Sequence, residues 1–274
     1  MDVRRPAVAG TFYPADPAAL RGAVDRLLAG VAAPPGPAPD APVAPKALIV
    51  PHAGYVYSGA TAATAYARLA RAAAGIRRVV LLGPAHRLPF SGLALPGARQ
   101  FATPLGTVVV DADAVAIARE LPQVVEIPLA HAGEHSLEVQ LPFLQRVLPE
   151  FTLLPLVVGD ATGAMVASVL DALWGGPETL IVVSSDLSHY HAYREACALD
   201  EATAARILAF APDLDHEQAC GATPINGLLL AARRRGLRVE LIDLRNSGDT
   251  AGDRHRVVGY AAFGFRDGGV DAAH

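Results

Sequence analysis

The chain of 274 residues is 52% hydrophobic and 18% charged, which supplies enough apolar material for one large core and excludes a disordered chain. Its 23 Lys and Arg against 27 Asp and Glu give a formal net charge of -4, and no basic run exceeds residues 233–235, so we expect no nucleic-acid partner. Apolar runs are too short for a signal peptide or a membrane span, and two cysteines make no disulfide framework, so we predict a cytoplasmic protein without membrane association.

Buried-strand patterns alternate with helical periods along the chain. A helix is predicted from Pro17, with Asp16 as its cap, and a Pro-rich surface connection at residues 32–45 leads to the first strand. The other predicted segments are strands at residues 47–50, 78–82, 107–110, 153–158, 180–183, 238–244 and 257–265, and helices at residues 61–73, 112–121, 136–148, 164–174, 198–210 and 225–235. This alternation predicts one α/β domain over residues 1–274, with a mixed, mostly parallel central sheet between helical layers and a flexible tail at 267–274.

Metal-competent side chains follow three of the predicted strands. His52 comes just after the first strand and His86 just after the second, while Asp186 and His189 follow the strand at 180–183. A single histidine in such a loop is more often an ordinary hydrogen-bonded residue. Because ligands of open α/β sheets bind outside the carboxyl ends of the strands, all three ends together favour one shared site.

A metal held by two histidines needs a third ligand, and Cys, Asp and Glu are the available types. Cys220 lies on a Gly-flanked bend before a helix predicted to begin at Pro224, and we expect the helix N-terminus to lower its thiol pKa. The sequence alone explains Cys220 equally well as a core residue. Cys197 lies in an Ala-rich helical stretch and is interpreted as a small core residue.

The segment from His131 to His135 matches the H-x-x-E-H pattern of some zinc peptidases. Gly133 interrupts that segment and Pro128 precedes it, so the helix is predicted to start only at Ser136 and the peptidase interpretation is rejected. His135 is expected to point into the crevice instead. Two further residues, Glu138 and Gln140, are interpreted as a polar helix face, and His191 is an alternative to His189.

Six longer motifs carry a family resemblance. They are the segment RRPAVAGTFYP at residues 4–14, PHAGYVYSG at 51–59, LLGPAH at 81–86, GEHSLEVQLPFL at 133–144, SSDLSHY at 184–190 and CGATPING at 220–227. Over residues 4–265 the chain resembles the Memo family, whose bacterial and archaeal members are called AmmeMemoRadiSam system protein B. That family is similar in fold to the class III extradiol ring-cleavage dioxygenases, which bind non-haem Fe(II).

The resemblance implies a metal site in which His52, His86 and Cys220 are the ligands. It also implies that His189 is the catalytic acid/base, with Asp186 as the neighbour that fixes its tautomer, and we add His135 as a candidate catalytic residue. A thiolate ligand favours copper or a covalent iron site, so the expected cofactor is Fe(II) or Cu, with Zn as a further option.

Two functions remain open from the sequence. The first is a metal-dependent redox enzyme, dioxygenase-like in its pocket, that acts on a small-molecule substrate. The alternative is a non-catalytic binding or adaptor protein that uses the same pocket for a ligand or peptide. The family name also implies a pathway association with radical SAM and AMMECR1-like proteins.

Overall fold

The computed structural model describes residues 2–31, 44–69 and 73–268, within which lie twelve strands and eight helices. The predicted Pro-rich connection lies outside the described residues except at 44 and 45, and the predicted flexible tail lies outside them except at 267 and 268. Among the helices of the described ranges, none combines the length and the apolar character needed to cross a bilayer.

The helices and strands have the following bounds. The helices are α1 (Pro17–Ala29), α2 (Tyr55–Ala67), α3 (Ala112–Arg119), α4 (Pro128–Ala132), α5 (Leu141–Val147), α6 (Gly163–Leu173), α7 (Tyr193–Leu208) and α8 (Ala222–Arg234). The strands are β1 (Val3–Arg4), β2 (Ala47–Val50), β3 (Arg78–Pro84), β4 (Leu93–Leu95), β5 (Gln100–Thr103), β6 (Gly106–Val110), β7 (Val124–Glu126), β8 (Thr152–Val158), β9 (Thr179–Ser184), β10 (His189–His191), β11 (Leu237–Asn246) and β12 (Val257–Asp267).

All the strands described belong to one connected sheet, whose main order is β1-β5-β6-β8-β3-β9-β2-β12-β10. The five consecutive strands from β6 to β2 run parallel to their neighbours. Antiparallel pairs flank them, since β5 pairs antiparallel with β6, and β12 with β2. The predicted mixed, mostly parallel α/β sheet is therefore confirmed.

The central strands are buried on both faces, which explains why they appear in the sequence as unbroken apolar runs. On β3, Val80 and Leu82 contribute to one hydrophobic core, while Val79 and Leu81 contribute to the other. The first core includes apolar residues of α6 and α8, and the second includes residues of α2 and α5. The sheet thus lies between two helical layers, as predicted.

The structure differs from the predicted elements in several places, including three helical segments. Helix α2 begins at Tyr55 rather than at residue 61, because the Tyr55 amide donates to Phe12 O and its hydroxyl donates to Val139 O, both from distant segments. The helix predicted at 136–148 is a 3-10 turn over Glu138–Gln140 followed by α5. Helix α4, which the Gly and Pro signals had argued against, forms as a single short turn of five residues.

Candidate metal centre

The sheet order places the predicted ligands at one edge. Strands β2, β9 and β3 are parallel, with β9 in the middle, so the loops after β2 and β3 leave the sheet at the same end, on either side of β9. His52 lies in the first loop and His86 in the second, and Cys220 reaches the same point from the bend before α8. One donor atom from each of the three lies within 4.8 Å of the other two. We call these three side chains the donor cluster.

The spacing within the donor cluster suits a metal ion. The Sγ atom of Cys220 lies 3.3 Å from Nε2 of His52. Metal bonds of about 2.1 Å to nitrogen and about 2.3 Å to sulfur span that distance at an angle of about 100°, close to tetrahedral. The donors also match in chemistry, because two imidazoles and one thiol suit Zn, Cu and Fe better than Mg or Ca.

The hydrogen bonds around His52 determine which ring nitrogen faces the cluster. The hydroxyl of Ser184 donates its one hydrogen to Ser136 O at 2.5 Å and accepts from Gln140 Nε2 at 2.7 Å. The Nδ1 atom of His52, 3.0 Å from the same oxygen, must therefore be the donor in its bond to Ser184. This leaves the lone pair on Nε2, the nitrogen that faces Cys220. Burial holds the pKa of His52 well below 6.5, which favours the neutral, metal-binding form.

His86 has a charged partner instead. Its Nδ1 lies 2.9 Å from Oε1 of Glu134, and its backbone amide donates to Oε2 of the same carboxylate at 2.6 Å. The amides of His135 and Ser136 also donate to Oε1. Burial alone raises the pKa of Glu134, but the bonds from His86 and the amides lower it to about 2. The carboxylate is therefore ionised, accepts the Nδ1 hydrogen and leaves Nε2 of His86 free.

Two glycines allow these segments to approach the strand ends. A Cβ atom on Gly83 would lie 2.7 Å from Oγ of Ser136, which follows the orienting Glu134. A Cβ atom on Gly221 would lie 2.6 Å from Cβ of Ser185, the residue that follows β9. Larger residues at either position would push the carboxylate or the thiol away from the histidines.

The thiol of Cys220 is not activated in the way the sequence suggested. Burial and the nearby Asp186 carboxylate raise its pKa to about 12, although it lies two residues before α8, which begins at Ala222 rather than at Pro224. The expected lowering by the helix N-terminus is therefore wrong for the metal-free protein. A metal ion would have to displace the proton itself, as metals do when they bind cysteine.

His189 and Asp186 both lie at the site, but not as an orienting pair. The Nδ1 atom of His189 bonds to Leu187 O at 2.8 Å, which leaves Nε2 as its free nitrogen. The Asp186 carboxylate instead accepts from the backbone amide of His52 at 2.7 Å. Burial raises the pKa of Asp186 to about 6. The predicted role of Asp186 in fixing the His189 tautomer is therefore corrected, because the structure gives that role to a backbone carbonyl.

His135 packs among other rings beside the donor cluster. Its ring stacks on that of His86 at a centroid distance of 4.7 Å and lies 5.4 Å from that of His52 and 4.7 Å from that of Phe12. Burial lowers its pKa to about 4. With His86 and Glu134 it forms a second group of donor atoms within 4.8 Å of one another. Both oxygens of Glu134 already accept hydrogen bonds, so this group orients His86 better than it would hold a second ion.

The H-x-x-E-H segment does not present its histidines on one helix face. Helix α4 ends with Gly133 as its cap, and His135 lies beyond it. His131 is 2% exposed and bonds through Nε2 to Ala94 O at 2.8 Å, away from the donor cluster. The geometry agrees with the rejection of the peptidase interpretation.

His131 gives a pH prediction. Burial lowers its pKa from 6.5 to about 4, against the raising effects of the Ala94 carbonyl and Glu134 and with a further lowering by Arg4. Between pH 6.5 and pH 4, His131 is protonated in the unfolded chain but stays neutral in the folded protein. The free energy of unfolding therefore falls as the pH drops through this range, and His131 contributes about 3 kcal/mol to the fall.

Urea unfolding at pH 7 and pH 4 measures this effect, with His131→Gln as the comparison because its amide keeps a donor for Ala94 O. The wild-type protein is expected to lose about 3 kcal/mol more over this range than the variant. Equal losses in the two proteins would show that His131 is not buried in the neutral form.

The chain is similar to known proteins over nearly its whole length. The family model described as Memo-like protein matches residues 4–264. The chain belongs to the Memo family. A MEMO1 family protein of Aquifex aeolicus is 37% identical over 97% of this chain and 100% of its own length. A second, from Methanopyrus kandleri, is 36% identical over 97% of this chain and 99% of its own length.

In this Memo family chain two side chains of the donor cluster, His86 and Cys220, border a cleft of about 830 Å³, a volume typical of small-molecule sites. The residues that border it include His86, Arg87, Phe90, His189, Tyr190 and Cys220. His189 is thus placed beside two of the predicted ligands, facing the same space. The alternative, His191, instead pairs with Glu195 at 3.3 Å.

Sequence reasoning missed the residues that hold the histidines in place. From sequence, Glu134 belongs to the peptidase pattern and to one family motif, and Ser184 belongs only to the family motif at residues 184–190. The interpretation of Glu138 and Gln140 as a polar helix face was wrong, since both side chains are fully buried. A polar residue at the last position of a buried strand, as Ser184 is in β9, was the one available signal.

Proposed function

We propose that the protein is a cytoplasmic, metal-dependent redox enzyme that holds Fe(II) or copper and acts on a small molecule in the cleft. The observation that carries the proposal is the donor cluster, whose three donor atoms lie within 4.8 Å of one another at the carboxyl edge of the sheet. Membership of the Memo family supports the set of metal ligands that the family resemblance implies. The redox chemistry is our inference from the types of donor atom.

His52, His86 and Cys220 would hold the metal, and three protein ligands are the number that leaves a position for substrate. Bound there, the metal would supply a redox-active Lewis acid. The hydrogen bonds that the Nδ1 atoms of His52 and His86 donate to Ser184 and Glu134 keep both imidazoles oriented before any ion arrives. The site is therefore organised by the protein, which reduces the cost of binding.

His189 would move the proton. Its Nδ1 hydrogen is bound to Leu187 O, so Nε2 is the atom that can accept a proton from a substrate in the cleft and return it. Of the three groups that were candidates for catalysis, Asp186 holds the His52 loop and His135 packs between the histidine rings and Phe12. We therefore assign only His189 to proton transfer.

Anaerobic titration of the metal-free protein with Fe(II) and Cu(I), followed by O₂ uptake with catechols, thiols and ascorbate, tests the proposal. We expect one metal ion per chain and measurable O₂ consumption with at least one reductant. Metal binding without any O₂ consumption would instead support the non-catalytic alternative, in which the cleft binds a ligand or peptide. Failure to bind either metal would overturn the proposal.

Replacing Cys220 with Ser is expected to weaken copper or iron binding by about 100-fold or more, because losing a ligand costs at least as much as losing the hydrogen-bond partner of one. Cys197→Ser is the matched control, since Cys197 lies on α7 and accepts a hydrogen bond from Asn246. Competition titrations with a chelator measure both affinities. Equal losses in the two variants would indicate general destabilisation and would contradict the assignment of Cys220.

A further inference from the structure

The two histidines of the donor cluster have partners of different charge. His86 bonds to the carboxylate of Glu134, whereas His52 bonds to the neutral hydroxyl of Ser184. The side chain of Glu134 is only 1% exposed, so water screens little of its charge. The two imidazoles therefore differ in how strongly each can donate electrons to a metal.

We propose that Glu134 is a positioning residue that acts through His86, fixing its Nε2 toward the metal and stabilising the oxidised metal relative to the reduced one. The inference rests on the proposed function, because it assigns a residue to control of the same metal. Ser184 positions His52 without this electronic effect. The two histidines are therefore unequal, because only His86 bonds through Nδ1 to a charged group.

The physical argument starts from the Nδ1 hydrogen of His86. A carboxylate that accepts this hydrogen draws it away from the ring and increases electron density at the other nitrogen, which raises ligand basicity. A more basic ligand favours the higher charge of the oxidised metal. The hydroxyl of Ser184 has no net charge and gives its own hydrogen to Ser136, so it polarises the ring of His52 far less.

Backbone amides around Glu134 hold its carboxylate in position against His86. Its Oε1 accepts from the amides of His135 and Ser136, each at 2.9 Å, and its Oε2 accepts from the amide of His86 at 2.6 Å. These bonds come from backbone groups and hold the carboxylate in one orientation. A glutamine side chain has nearly the same size as glutamate, but its NH₂ group would face one of these hydrogen-bond donors. Glu134→Gln therefore keeps the side-chain volume and loses at least one of the hydrogen bonds that the carboxylate accepts.

The first measurement needs no variant. The ¹⁵N chemical shifts of the histidine rings in the metal-free wild-type protein report which nitrogen carries hydrogen. For His86 we expect hydrogen on Nδ1 and none on Nε2, as the bond to Glu134 requires. Hydrogen on Nε2 of His86 would overturn the inference.

The second measurement uses copper as the probe and compares the wild-type protein with Glu134→Gln and Ser184→Ala. Glu134→Gln is expected to weaken Cu(II) binding by about 10–100-fold. The loss of affinity for Cu(I) is expected to be smaller than the loss for Cu(II) by a factor of about ten or more. That tenfold difference raises the reduction potential by about 59 mV for a one-electron couple. Ser184→Ala is expected to weaken both oxidation states alike, leaving the potential within a few millivolts of the wild-type value.

Glu217→Gln is the matched control, because it removes an exposed carboxylate from the rim of the cleft. We expect its copper affinities to stay within about twofold of wild type, as screened surface charges have little effect. If Glu134→Gln binds both oxidation states as the wild-type protein does, the inference is overturned and the proposed function stands. If the wild-type protein binds neither copper nor iron, the proposed function fails and the inference fails with it.

Discussion

Replacing Arg4 with Met is expected to lower the free energy of unfolding by about 3–5 kcal/mol, the usual cost of removing one partner from a buried ion pair. The guanidinium of Arg4 pairs with the carboxylate of Glu138, and their side chains are 5% and 0% exposed. It also donates to His131 O at 3.0 Å and to Glu134 O at 2.6 Å. Without it, three buried acceptors lose a charged donor at once.

Arg5→Met is the matched control, because the neighbouring Arg5 is exposed and its replacement is expected to change stability by no more than about 0.5 kcal/mol. Urea unfolding of both variants measures the difference. A loss for Arg4→Met as small as that for Arg5→Met would mean that the buried pair contributes no net stability.

The same ion pair connects the N-terminal segment to the candidate site. Glu138 also accepts from the amides of Ala7 at 2.7 Å and Val8 at 3.0 Å, which anchors the chain that leads to Phe12. Phe12 in turn packs on His135. Through Phe12, the segment at residues 4–14, recognised from sequence only as a family motif, therefore supports the ring of His135 next to the donor cluster.

The sheet could be predicted from the sequence where burial decides the local structure. The apolar run at 47–50 matches β2, and the prediction at 153–158 misses β8 by one residue, because strands buried on both faces leave few alternatives. The strands β4 and β7 were not predicted. Each has three residues, too few to show a period, and they form because they pair with each other and β4 pairs with β8.

The candidate site also contains residues that could be predicted from the sequence and residues that could not. His52 and His86 could be predicted because parallel topology converts their position after two strands into proximity. Glu134 could not, because its bond to His86 joins residues 48 apart and depends on how the chain after α4 packs against β3. The direction of the Cys220 pKa shift was wrong for a related reason. Burial by surrounding residues outweighs the local helix terminus, and a local pattern does not report burial.

His189→Ala is expected to lower turnover by about 10²–10⁴-fold and to leave metal content unchanged, because a positioned general acid/base contributes about that factor and the donor cluster does not include this residue. His189 borders the cleft beside His86 and Cys220, and its Nε2 is the nitrogen not bound to Leu187 O. Steady-state O₂ uptake with the best reductant, together with metal analysis of the purified variant, measures both quantities.

His191→Ala is the control for this experiment, since His191 lies on the same short strand but pairs with Glu195. Its turnover and metal content are expected to match wild type. If His189→Ala loses its metal, His189 is a ligand and the acid/base role is wrong. If both variants lose turnover equally, β10 matters for folding rather than for proton transfer. The acid/base role predicts that His189→Ala alone loses turnover and that it keeps its metal. That result requires an imidazole that contacts the substrate without binding the metal ion.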